Sequence, residues 1–394
     1  MLTKAPAVPL ARWADRQLRV LATETESPRI AALDGATLVG ERGSNGNFRI
    51  NGRVSPGIGG SRLNRTKDGG WFALTILRGE DRTLLPALFL GDAVDVENDL
   101  DIARAIGRHA CADLLERGRA LGLPVASANE VPASPPVDVL VRGEHRQRAP
   151  GHRPVVVDLS AIWAGPLAGH LLWLAGAEVV KVESLSRPDL IRRDDPATFD
   201  LINQGKASVI ADFYDAADIA RVIALIRRAD VVIESSRVRA LKHLGIDAEV
   251  LVRETPGLVW LSVTGHGARG EAADWAGIGH DCGVAGGLAR AMADVTGEIG
   301  YVGDALPDPL TGITAAIEGW RAYQSGVGAR IGFAMSAIAA RALAQERAFD
   351  AALLEAELKA WGAAAGQPFP KVPRRMLHEP VHELGADTAQ YLPC

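Results

Sequence analysis

Cysteine is scarce in this chain, with 3 among 394 residues, and Cys111, Cys282 and Cys394 lie far apart. That spacing offers neither a disulfide framework nor a zinc pattern, which fits a reducing compartment. No apolar run approaches the roughly 18 residues needed to cross a bilayer. The opening MLTKAPAVPLARW lacks the apolar core of a signal peptide. A net charge of −5 and a pI near 6.0 argue against general nucleic-acid binding. The expectation is a soluble, cytoplasmic protein with no membrane and no nucleic-acid partner.

Several motifs are missing as well. The first strand-to-helix turn reads Ser160-Ala161-Ile162-Trp163-Ala164-Gly165-Pro166 where GxGxxG would stand, so no nicotinamide cofactor is expected. There is no Walker loop and no GxSxG nucleophile elbow. His378-Glu379-Pro380-Val381-His382 matches HExxH by letter. Pro380 opposes the continuous helix that would set both imidazoles on one face, and no metal is expected.

What is present divides the chain into segments. Residues 1–44 are a helical or irregular start, with helical character around Trp13–Thr23. Residues 45–127 read as a small α/β domain. They hold a glycine-rich loop ending in Gly57, Gly59 and Gly60, a strand over Trp71–Leu77, and a helical stretch over 99–122 with Leu100, Ile102, Ile106, Ala110 and Leu114 on one face. The proline-bearing residues 128–153 read as a linker. From Pro154 to residue 345, apolar strands (PVVVDLS, AEVVKVE, SVIADF, DVVIES, LVWLSVTG) alternate with helical segments. Alternation of that kind specifies a parallel α/β sheet with helices on both faces. Residues 346–394 read as a C-terminal tail.

In such sheets, ligands bind beyond the C-terminal ends of the strands. That rule selects Ser160–Pro166, Glu183–Arg193, Glu234–Arg237 and Thr264–Gly267. Lys181, Arg187, Arg192, Arg193, Lys206, Arg237 and Arg239 lie near those ends, and together they suit a phosphorylated ligand. Asn203-Gln204-Gly205-Lys206 is a turn that sets a lysine beside free amides. His280-Asp281 reads equally as an acid/base pair or as an ordinary buried turn. Asp308, followed by Pro309 and an apolar helical period, reads as a helix N-cap or as a nucleophilic carboxylate among glycines.

The runs VVVDLSAIWAGPLAGHLLWLAGAEVVKVE, NQGKASVI, ADVVIESSR and LSVTGHG, with the late LGADT, resemble the class III CoA-transferases of the CaiB/BaiF family. The resemblance is continuous from about residue 154 to 345. The glycine-rich loop and RTKDGGWFAL resemble that family's small domain, which normally comes later, so the order here resembles a permuted subgroup. The resemblance implies a Rossmann-like core, an interlocked homodimer, coenzyme A as co-substrate, and an acyl-CoA and a small carboxylic acid as partners. It implies that Asp308 attacks an acyl-CoA thioester and passes CoA on through a covalent aspartyl intermediate. Gly59 and Gly60 match the glycine loop over the site, while Ala164, Gly165, Pro166, Arg187, Asn203, Lys206 and Arg237 match positions lining the CoA site. Two alternatives stay open. His280-Asp281 also resembles the GHD of the family's acyl-CoA racemases, which would pair His280 with Asp308 as acid and base. A catalytically silent acyl-CoA-binding subunit is the other.

Overall fold

The computed structural model describes residues 6–57 and 60–393, with Val238 described by its backbone alone. Residues 1–44, expected to be helical or irregular, form helices Ala11–Thr25, Pro28–Ala31 and Gly35–Asn45. Trp13, Leu18 and Leu21 on the first of these are buried in the main core.

The small domain is built on an antiparallel sheet of β1 (Ser61–Arg65), β2 (Trp71–Thr75) and β3 (Val125–Ser127), with β2 in the middle. The helical stretch after it breaks at Gly107, giving helices Asp99–Ile106 and Cys111–Ala120. Ile102, Ile106 and Leu114 pack against Phe72 and Leu74, as the spacing predicts, but Leu100 is 67% exposed. Each such burial is worth about 1.5–3 kcal/mol. The opposite face of the sheet buries Leu63, Ala73 and Ala126 against Val284, Ala285 and Ala289. That shared cluster fixes the small domain over the helix Gly279–Ala285.

The second sheet holds β4 (Val137–His145), β5 (Val155–Asp158), β6 (Glu178–Ser184), β7 (Ala207–Ala211), β8 (Val231–Glu234), β9 (Val259–Thr264) and β10 (Val327–Ala334). Its order is β4-β10-β9-β8-β5-β6-β7, parallel except for β4 at the edge. The strands read as unbroken Val/Ile runs because helices cover both faces. Strand order reverses between β5 and β8, which places a crevice at their C-terminal ends.

Three boundaries move. Residues 128–153 are no linker throughout, because β4 pairs with β10 there; its strand signal is hidden behind Pro132, Pro135 and Pro136. β10 itself is unannounced, since Gly328 and Gly332 interrupt its apolar run. The final segment is no loose tail. The helix Met335–Ala363 runs into it, and Asp387 then ties it to β7, its carboxylate accepting from the Ser208 amide at 2.7 Å and its own amide donating to the Ser208 carbonyl at 2.9 Å. Residues 378–382 are not helical. His378 donates its amide to Gln204, and the His382 ring pairs with Asp387 at 2.6 Å, so the HExxH letters lie on no helix. No described helix is long and apolar enough to cross a membrane.

Candidate active site

The helix Pro307–Ser325 follows β9 and precedes β10 in the chain, and it starts two residues earlier than the sequence suggests. Pro307 takes the first helical position, so Asp308 is not the N-cap; it stands in the first turn, at the positive end of the helix dipole. This helix packs along Ala164–Leu174. The approach is close at Gly312, where a Cβ would lie 2.8 Å from the Ala164 carbonyl. The same packing brings the Ala164 amide near enough to the Asp308 carboxylate to favour its ionised form. On the other side, a Cβ on Gly279 would overlap Asp308 Oδ2, so only glycine lets that backbone pass.

Asp308 forms part of the wall of a cavity of about 560 Å³. Strand ends supply most of the lining: Ala161, Ile162 and Ala164 after β5, Arg187 after β6, Ser235–Arg237 after β8, Thr264 and Gly265 at β9, and Met335 after β10. Trp275 and Ile278 form another wall, and the small domain closes over with Leu77, Arg78, Asp81, Gly122 and Pro124. Arg237 donates to the Gly122 carbonyl at 3.0 Å, joining the two domains at the mouth.

Ile162 holds a left-handed φ of 72°, which a β-branched residue adopts only under constraint. Its amide donates to Asp189, at 3.1 and 3.2 Å to the two carboxylate oxygens. Asp189 is in turn paired with the buried Lys181 at 3.0 Å. This bracing sets the turn that delivers the Ala164 amide.

Asp308 is buried, with 6% of its surface exposed. Burial pushes its carboxyl up to about 7, against the Arg42 charge and the Ala164 amide, while Asp304 and Asp281 push it further up. Asp304, in the turn just before the helix, goes the other way. Burial raises it too, but Arg42 and His280 outweigh that and hold it below the usual carboxylate range. Arg42 grips both Asp304 oxygens at 2.8 and 2.9 Å and reaches Asp195 at 3.2 Å.

Of the expected site residues, Asp308, Ala164, Arg187 and Arg237 meet on the cavity. Gly165 and Pro166 lie behind it, the latter giving its carbonyl to Lys206 at 2.8 Å. Lys206 and Asn203 are interior: the ammonium bonds Asp158 at 2.8 Å and Asn203 at 2.9 Å, and burial lowers it to about 8. This lysine neutralises a buried aspartate and has no donor left for a ligand. His280 is outside the lining as well, buried against Tyr301 with its Nε2 3.3 Å from Asp304. Gly60 stands one step behind Leu77, its carbonyl accepting from the Ile76 amide, and Gly59 lies outside the described residues.

The sequence reading missed Arg42, Asp304, Arg78 and Met335. Asp304 had a signal, being a second carboxylate four positions before Asp308; Arg42 had none, being 262 positions from the aspartate it pairs with. His266, Asp281 and Cys282 also come together, buried, with potential donor atoms within 4.8 Å of one another. The Cys282 thiol is pushed well up by burial and by Asp281, and it donates to the Gly265 carbonyl at 3.4 Å.

Residues 154–366 match the family model for CoA-transferase family III. The match spans more than half of the chain, and the chain belongs to that family. It is similar to the succinate–glutarate CoA-transferase of Agrobacterium fabrum, 33% identical over 208 residues, 48% of this chain and 52% of that protein. It is similar too to the succinyl-CoA–L-malate CoA-transferase alpha subunit of Chloroflexus aurantiacus, 30% identical over 181 residues, 44% of this chain and 40% of that one. Among solved structures, a CAIB/BAIF family protein from Brucella suis shares 31% identity over 52% of this chain and 59% of its own, with a TM-score of 0.45. The chain spans about half the length, or less, of the curated relatives it matches. Residues 1–153 lie outside the family match.

Proposed function

We propose that this protein is a cytoplasmic CoA-transferase in which Asp308 moves CoA from an acyl-CoA donor to a small carboxylic acid. The observation that carries the reading is the buried Asp308 carboxylate on the wall of a cavity edged by arginines, with the Ala164 amide aimed at it. The ionised carboxylate attacks the thioester carbonyl, the C–S bond breaks, and CoA leaves as thiolate with Asp308 in a mixed anhydride. The thiolate then attacks the aspartyl carbonyl, releasing the donor acid and leaving an aspartyl-CoA thioester. The acceptor carboxylate attacks that thioester, and the thiolate attacks the new anhydride at the acceptor's carbonyl, giving a new acyl-CoA and free Asp308.

Such steps need amide donors for the developing oxyanion and a site closed to water. The Ala164 amide supports the first need, with Gly59 and Gly60 assigned to the same task by family resemblance. The small domain over the cavity supports the second. Arg187 and Arg237 at the mouth suit the phosphates of coenzyme A, and the doubly wound strand order supports a Rossmann-like core. A permuted order with the small domain first, and a homodimer, belong to the same reading. His280 is off the cavity and turned to Asp304, which favours transfer over α-proton exchange.

Intact-protein mass after incubation with acyl-CoA and hydroxylamine tests this. Hydroxylamine converts an activated aspartyl group to a hydroxamate, so wild-type protein gains that mass and Asp308→Ala does not. An equal gain in the mutant, or α-proton exchange without any adduct, would refute the assignment.

A further inference from the structure

The charge in this cavity is sorted by depth. The cations on its lining, Arg78, Arg187 and Arg237, are exposed at the mouth. Beside the buried Asp308 the walls are Ala164, Val263 and Met335, with 4%, 3% and 5% of their surface exposed and joined in one apolar cluster. Thr264 adds no free donor there, because its hydroxyl donates to the Phe333 carbonyl at 2.9 Å and accepts from the Gly267 amide at 3.1 Å. Arg42, whose charge acts on Asp308, is already gripped by Asp304 and Asp195 and is off the lining. Among the described residues, no lysine or arginine on the cavity lining stands at that depth.

A thioester carbonyl within reach of Asp308 must lay its acyl chain along those walls. A chain ending in a carboxylate would be stripped of water beside apolar groups and beside Asp308, itself an anion when reactive. An aliphatic chain gains by the same burial. Resting on the reading of Asp308 as the nucleophile, we infer that this site takes monocarboxylic acids with an uncharged, apolar acyl group and rejects dicarboxylic acids. In this it departs from the relatives named for succinate, glutarate and malate.

The test compares butyryl-CoA with succinyl-CoA on the full chain by two readouts. The rate of hydroxylamine-trapped Asp308 adduct is expected to favour butyryl-CoA by about 100-fold or more, the scale set by an unpaired buried charge. Titration calorimetry of the Asp308→Ala protein is expected to show the same order of affinity. Where adducts form, a succinyl-CoA rate equal to or above that of butyryl-CoA overturns the inference. Where none forms with either, the covalent route fails on its own and the affinity ratio decides: tighter butyryl-CoA upholds the apolar site, while equal or weaker binding, or no binding at all, overturns it.

Discussion

Two carboxylates four positions apart, both buried, flank the start of the helix Pro307–Ser325, Asp304 before it and Asp308 in its first turn. On the closed side, Asp304 is enclosed by Arg42, His280 and neighbouring apolar residues and is stabilised as an anion. On the open side, Asp308 faces the cavity with a single backbone amide and a shared arginine, and burial lifts it to about 7. Burial is common to both, so what separates them is whether a cation is dedicated to the group. A charge-compensated carboxylate is an anchor; one left partly uncompensated is a reactive group whose cost the surroundings bear.

The largest expected effect comes from removing the open-side group. Asp308→Ala should lower CoA transfer by at least about 10³-fold while the protein still binds CoA, measured as turnover and by calorimetry. Asp304→Asn should affect stability before chemistry. Leaving Arg42 short of its main partner costs roughly 3–5 kcal/mol, read as a shift in urea midpoint.

The same contrast can be sharpened through pH. Because attack requires the carboxylate form, adduct rate should rise with pH through a midpoint near 7 and fall about tenfold per unit below it. Asp304→Asn removes a charge that raises Asp308, so its midpoint should move below 7. Arg42→Met removes the charge that lowers Asp308, so its midpoint should move above 7. Midpoints moving together would break the distinction drawn between the two sides.

The smallest effect is on wild-type stability. Between the ordinary value of 3.8 and about 7, folded Asp308 keeps a proton that the unfolded chain has lost, so its contribution to stability falls as pH rises through that window. Asp308→Asn should therefore raise the melting temperature more at pH 8 than at pH 4, by about 1–4 °C. An equal gain at both pH values would mean that burial does not raise this group.

Legibility followed the range of the interactions. The parallel strands were readable because each is a local Val/Ile run, and the place of the cavity at their C-terminal ends followed from their alternation with helices. Lys206 was misplaced because a lysine near a strand end looks the same in sequence whether it faces a ligand or a buried aspartate; the Asp158 contact spans 48 positions. β4 and β10 were missed because their partnership is tertiary: prolines before one and glycines within the other mute the local signal.

The sequence alone determined the α/β class, the absence of a dinucleotide fingerprint, the stretch carrying Asp308 and the family. Periodicity and motif spacing are properties of neighbouring residues, so they survive without coordinates. Only the tertiary structure decided which charges are free. It placed Arg42 on Asp304, turned His280 away from the cavity, and left apolar walls beside Asp308 with arginines at the mouth. Compensation of a buried charge depends on distance in space, which separation along the chain does not encode.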